Sequence, residues 1–151
     1  MNANRDIEAG VRAELAGDTR LPHANEIAIE VDGDSVTLRG TVGSFAQRRA
    51  AVADARRTIG VAEVWDELDV RLLDEDRRKD AEIRGAALQR LIWDPEIPGE
   101  YLDVTVQDGW VTLKGQVESQ PQSDEAFDRV ASLHGVTGVT NEIKVVQPRV
   151  V

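Results

Sequence analysis

Hydrophobic positions along the first half of the chain follow two rhythms. Ile7, Val11 and Leu15 recur every fourth residue, so a helix gathers them on one face, and Gly17 follows as a left-handed cap. Ile27, Ile29 and Val31 then alternate with Ala28 and Glu30, the period of a half-buried strand. Asp32-Gly33-Asp34-Ser35 has turn chemistry, and Val36, Leu38, Gly40 and Val42 line one face of the strand beyond it. Ser44 and Gln47 are spaced as a capping box that satisfies free amides at the start of a second helix. Ala51, Val52, Ala55 and Ile59 are the buried stripe expected of that helix, and Gly60 is its stop. Val64, Leu68 and Val70 alternate as a final strand. The order is helix–strand–strand–helix–strand.

The pattern then returns. Residues 27–70 lie over residues 102–145 at a constant shift of 75, with no gap. Val36-Thr37-Leu38-Arg39-Gly40-Thr41-Val42 becomes Val111-Thr112-Leu113-Lys114-Gly115-Gln116-Val117, and Ser44 and Gln47 become Ser119 and Gln122. Upstream the register slips by one, so that Ile7, Val11 and Leu15 answer to Ile83, Ala87 and Leu91. A repeat this long exceeds a solenoid unit and suits two small cores. The expected domains are residues 1–73 and 74–151, joined by the charged run Leu73 to Asp80, a short connector leading into a helix that ends at Ile92. Within each module a strand–helix–strand crossover is right-handed and makes its two strands parallel, whereas the hairpin before it is antiparallel. The expected fold class is α+β: two tandem αββαβ modules, each a three-stranded mixed sheet with both helices on one face. The opposite face of the first sheet carries Glu30, Thr37, Arg39, Thr41, Glu67 and Asp69.

Charge and composition narrow the function. Acidic residues outnumber basic ones 28 to 18, a net charge of −10. That balance argues against binding nucleic acid, which needs Lys and Arg on phosphates, and against general attraction to an anionic membrane. With no cysteine, there is no disulfide framework, thiol nucleophile or thiolate metal site. His23 and His134 stand alone, without the spacing of a metal motif or a nucleophilic triad. The expectation is a protein that is not an enzyme and takes no cofactor or metal. The start, Met1-Asn2-Ala3-Asn4-Arg5-Asp6, does not read as a secretory signal, no cysteine offers a lipid anchor, and the expected location is the cytoplasm. Arginine outnumbers lysine 15 to 3, as expected of a GC-rich bacterial genome.

The repeated motif resembles the BON domain, named from bacterial osmotically induced and nodulation proteins. The residues that carry the match are Ile29-x-Val31, Val36-Thr37-Leu38-x-Gly40-x-Val42 and Gly60-Val61 with Val64, Leu68 and Val70. The second copy adds the Asp108-Gly109 turn and Asn141 where the first has Gly33-Asp34 and Asp66. The resemblance implies a non-catalytic module associated with envelope or osmotic stress, binding phospholipid, another ligand or a partner protein.

The aromatic residues supply candidate contacts. Trp93, Tyr101 and Trp110 fall in the second copy and Trp65 in the first. Trp93 opens a proline-bounded loop, Trp93-Asp94-Pro95-Glu96-Ile97-Pro98-Gly99-Glu100-Tyr101. Two readings stand open: the loop folds back so that its aromatics cap the core, or Trp93, Tyr101 and Trp110 together anchor a partner or a membrane interface. Asp94, Glu96, Glu100 and Asp103 disfavour anionic lipid and leave a protein or a cation as the better ligand. Trp65, alternating with Val64, faces away from the helices and is expected to be covered by the other copy or by a second chain, as in a homo-oligomer. A phospholipid-associating module, with Trp93 and Trp110 on one edge beside Arg84 or Arg90, is the alternative. A cation-responsive sensor built on Asp32-Gly33-Asp34 or on Asp94 to Asp103 is a third, although neither loop has calcium-site spacing. Gly40 and Gly115 are read as places where a helix comes close. His134 is read as partly packed in the last turn of a helix, in the place of Ile59.

Overall fold

A computed structural model describes residues 3–146. The chain divides into two units between Arg71 and Leu72. In module one, α1 (Ala3–Ala16) is followed by a 3-10 turn at Ala24–Glu26. The strands β1 (Ala28–Asp32) and β2 (Ser35–Val42), helix α2 (Phe45–Arg57) and strand β3 (Glu63–Val70) complete it. Module two repeats the order as α3 (Asp80–Trp93), β4 (Leu102–Gln107), β5 (Trp110–Val117), α4 (Gln120–Ala131) and β6 (Gly138–Val145). In each sheet the long central strand pairs antiparallel with the strand before it and parallel with the strand after the helix. The expected α+β class and topology are what is found.

Burial explains why these residues form these elements. Val11, Leu15, Val36, Leu38, Ala51 and Ala55 are fully buried in module one, as are Ala87, Leu91, Val104, Val111, Leu113 and Val130 in module two. Each large aliphatic side chain so placed contributes about 1.5–3 kcal/mol. The hairpins differ in handedness of the backbone. Asp108 and Gly109 both have positive φ, 51° and 78°, the type I′ signature, whereas in the first hairpin only Gly33, at 63°, is positive. Exchanging Asp-Gly for Gly-Asp therefore changes the turn and leaves the register of the strands intact. Both second helices are capped as expected. Gln47 N donates to Ser44 Oγ at 3.1 Å, and Gln122 Oε1 accepts from Ser119 N at 3.2 Å and from Glu118 N at 2.8 Å. In module one the return bond goes to Gly43 N instead, at 2.9 Å.

Several expectations need correction. Ile59 is not part of the α2 stripe: it is 95% exposed. The helix ends at Arg57, and Thr58 turns inward because α1 offers Gly10, where a Cβ would lie 2.8 Å from the Thr58 methyl. Gly60 thus follows the helix end and does not make it. His134 is exposed and lies beyond α4, which ends at Ala131. Gly17 does not have a left-handed backbone. The connector holds a 3-10 turn at Asp74–Asp76, and α3 starts only at Asp80 and runs one residue past Ile92. Gly40 and Gly115, with φ of 131° and 132°, are approached not by the packed α-helices but by the backbone ends of the 3-10 turns Ala24–Glu26 and Gly99–Tyr101. A Cβ on Gly40 would lie 3.0 Å from Glu26 O, and one on Gly115 would lie 2.3 Å from Tyr101 O.

Candidate partner-binding surface

The loop after α3 folds back onto the helix that precedes it. Asp94 is buried, accepts a hydrogen bond from Glu96 N at 2.9 Å and pairs with Arg129 Nε of α4 at 2.9 Å. The Glu96 amide and the Arg129 guanidinium hold its carboxyl below the usual range, against the opposing effect of burial. Ile97 and Leu102 enter the core. Gly99 is pressed so tightly on the last turn that a Cβ would lie 2.6 Å from Leu91 O and 2.9 Å from Ile92 Cα. The loop thus turns inward through its aliphatic residues and leaves its aromatics outside. Trp93 is 75% exposed and Tyr101 69%. Ile92, which sequence reasoning placed only as a helix end, is 60% exposed.

Trp110 is elsewhere. Asp80, the first residue of α3, accepts from Asp108 N and Gly109 N at 2.9 and 3.0 Å, so the N-terminus of α3 sits at the hairpin turn that Trp110 ends. Trp93 is at the other end of the same 14-residue helix, about 20 Å away at 1.5 Å per residue. Likewise Tyr101 adjoins the start of β4, whose first residue, Leu102, pairs with Gly115 far from the turn. Ile92, Trp93 and Tyr101 are therefore all exposed toward one end of module two, and Trp110 lies toward the other.

Trp110 belongs to the open face of the second sheet. Its ring lies over Gly138, where a Cβ would be 2.3 Å from the ring, and its Nε1 donates to Thr140 Oγ1 at 2.8 Å. In the first sheet the tryptophan stands instead on β3, where Trp65 pairs with Thr37 at the place of Thr140. The two faces differ in charge. Module one displays Glu30, Asp32, Glu63, Glu67 and Asp69 against Arg39 alone, which pairs with Glu67 at 2.6 Å and Glu30 at 3.6 Å. Module two balances Asp103 and Glu142 with Lys114 and Lys144 around a row of Thr105, Thr112 and Thr140.

The BON domain model matches residues 3–71 and again residues 79–147. The chain belongs to the BON domain family. It is a tandem BON protein, 34% identical over 142 residues to osmotically-inducible protein Y of Escherichia coli strain K12, covering 91% of this chain and 70% of that one. It is also similar to the C-terminal domain of CdsD, a structural protein of the type III secretion system of Chlamydia trachomatis. That likeness is 10% identical and covers 97% and 98% of the two chains, with a TM-score of 0.41.

Among the described residues, no three His, Cys, Asp or Glu side chains gather where a metal ion could be held. No described helix is long and apolar enough to cross a membrane. What sequence reasoning passed over is the electrostatics beneath the surface: the Asp94–Arg129 pair, and a buried carboxyl, Asp54, at the corresponding place in module one.

Proposed function

We propose that this tandem BON protein acts without catalysis in osmotic stress, binding a partner protein through a patch formed by Ile92, Trp93 and Tyr101. The single observation behind this reading is that three large apolar side chains stand exposed at one end of module two while the loop between them is anchored by buried Asp94 and Ile97, and by Leu102 just beyond it. Anchoring lowers the conformational entropy lost on binding, and aromatic side chains are the usual carriers of binding energy. Glu96 and Glu100 flank the patch, so the matching surface has an apolar centre and a basic rim. The same carboxylates disfavour an anionic bilayer. The osmotic setting rests on the relative named for osmotic induction.

A photo-crosslinking side chain placed at Trp93, in cells before and after an osmotic upshift, tests this. Ile59, the most exposed large hydrophobic among the described residues, is the control position. A discrete protein adduct at position 93 that is absent at position 59 and lost on Tyr101→Ala supports the proposal. Identical adducts at both positions refute it. Flotation with anionic vesicles at physiological salt, lost in Trp93→Ala, would replace it with the phospholipid reading.

A further inference from the structure

Module one contains a buried acidic group for which partner binding has no use. Asp54, in α2, is completely buried, and its Oδ2 faces no hydrogen-bond donor. Asp18, in the turn after α1, lies with its carboxyl within hydrogen-bonding reach of Asp54, and its own side chain is 8% exposed. The other charged groups here come from each neighbouring element. Arg20, in the same turn, donates to Asp18 Oδ2 at 2.8 Å and stands 3.8 Å from Asp54 Oδ1. Arg57 of α2 donates to Asp54 Oδ1 and reaches Glu14 of α1 at 3.7 Å. Both guanidiniums approach Asp54 through Oδ1. Oδ2 is left without a donor while the Asp18 carboxyl lies within reach of the same group, an arrangement that one proton held between the two acids would satisfy.

We propose that Asp18 and Asp54 share one proton, and that this proton is a latch fastening the turn after α1 to α2. With the proton in place, Asp54 Oδ2 donates to Asp18, and the turn is held by hydrogen bonds from Arg20 and Asp54 together. Without it, two like charges meet in a site closed to water on the α2 side, and the turn is pushed outward toward the groove of about 430 Å³ lined by Glu14, Asp18, Arg20 and Arg57. Burial, then the Asp18 hydrogen bond and charge, push Asp54 up to about 6, while Arg20 first and Asp54 second hold Asp18 well below the usual carboxylate range. The latch thus closes on mild acidification and loosens toward neutral pH.

Hydrogen exchange on the full chain reads the latch directly. The amides of Asp18 and Leu21, which donate to Leu15 O and Asp18 O, report the turn. Corrected for intrinsic exchange, their protection is expected to fall about tenfold or more between pH 5 and pH 7.5, with Ile97 of module two as internal control. Asp54→Asn, whose amide donates to Asp18 at every pH, is expected to keep the protection constant. Equal protection of the natural protein at the two pH values overturns the proposal. So does a carboxyl carbon resonance of Asp54 that titrates near pH 4, a measurement that needs no variant.

Discussion

The two modules share a fold and a capping scheme, yet they hold their first and second helices together by different chemistry. Asp18 aligns with Asp94, and Asp54 with Arg129. The place that is a carboxyl pair in module one is an ion pair in module two, 2.9 Å between Arg129 Nε and Asp94 Oδ2. The exchange runs the other way where the second helix meets the last strand. There module one has the ion pair Arg48–Asp66 at 2.7 Å, and module two has the neutral bond from Asn141 Nδ2 to Ser123 Oγ at 2.9 Å. In both, the strand residue also accepts from the amide two positions on, Leu68 N or Ile143 N, each at 3.0 Å. Duplication thus preserved each contact point and let its charge drift. A contact between elements is a geometric requirement, and several polar pairs can meet it once each donor has an acceptor.

The largest contrast is expected at the paired glycines. Both have the left-handed φ that disfavours any side chain, a strain of about 1–3 kcal/mol. A Cβ at position 115 would collide with Tyr101 O at 2.3 Å, whereas at position 40 it would meet Glu26 O at 3.0 Å. Gly115→Ala is therefore expected to unfold module two, and Gly40→Ala to cost module one about 2 kcal/mol. Urea unfolding followed by tryptophan emission separates them, since Trp65 reports module one and Trp93 and Trp110 report module two. Equal losses at the two sites would break the ranking.

Next comes pH, where the modules are expected to respond with opposite sign. Asp54 is pushed up to about 6, so its contribution to module one is complete below the unfolded value near 4 and is lost as pH rises through about 6. The shift corresponds to an effect on the order of 2–3 kcal/mol. Asp94 is held low, so its contribution to module two is present above pH 4 and is lost as pH falls below that. Urea midpoints from variants retaining only Trp65, or only the module-two tryptophans, are expected to move apart between pH 5 and pH 7.5. Midpoints that move together would remove the distinction. Asp54→Arg sharpens the same contrast by giving module one the pairing of module two. Its midpoint is expected to become flat over that range, and a midpoint that still falls with pH would assign the dependence to another group.

How much of this was legible in the chain follows from what each feature depends on. The modules, the sheet order and the caps could be read because they rest on period and spacing, as in Ile7, Val11 and Leu15 or Ser44 and Gln47. Ile59 was misplaced because its exposure depends on a residue far away: Gly10 admits Thr58 and turns Ile59 outward. The loop from Asp94 to Tyr101 was half legible. Folding back was one of two readings left open, and that Ile97, with Leu102 just beyond the loop, fills the core and leaves Trp93 and Tyr101 outside is a matter of volume, which a linear pattern does not encode. The repeat itself held an unread signal. Setting Asp54 against Arg129 at the 75-residue shift shows a charge reversal at a helix position that must face its neighbour.

The smallest expected effect lies on the open faces of the sheets. Trp110 and Trp65 stand on the open faces from different strands, and Trp110 is tied down by its bond to Thr140 Oγ1. Thr140→Val keeps the shape and removes the acceptor. Because the ring is 44% exposed, water can replace the lost partner, so the cost to module two is expected to be about 0.5 kcal/mol, at the low end for a hydrogen bond. The sensitive readout is fluorescence anisotropy of a variant retaining Trp110 alone, which is expected to fall as the ring gains motion over Gly138. The matching change in module one, Thr37→Val opposite Trp65, is expected to leave the anisotropy of Trp65 unchanged. A fall at both positions would mean that the threonines restrain their neighbours by packing, and the tether would then not distinguish the two faces.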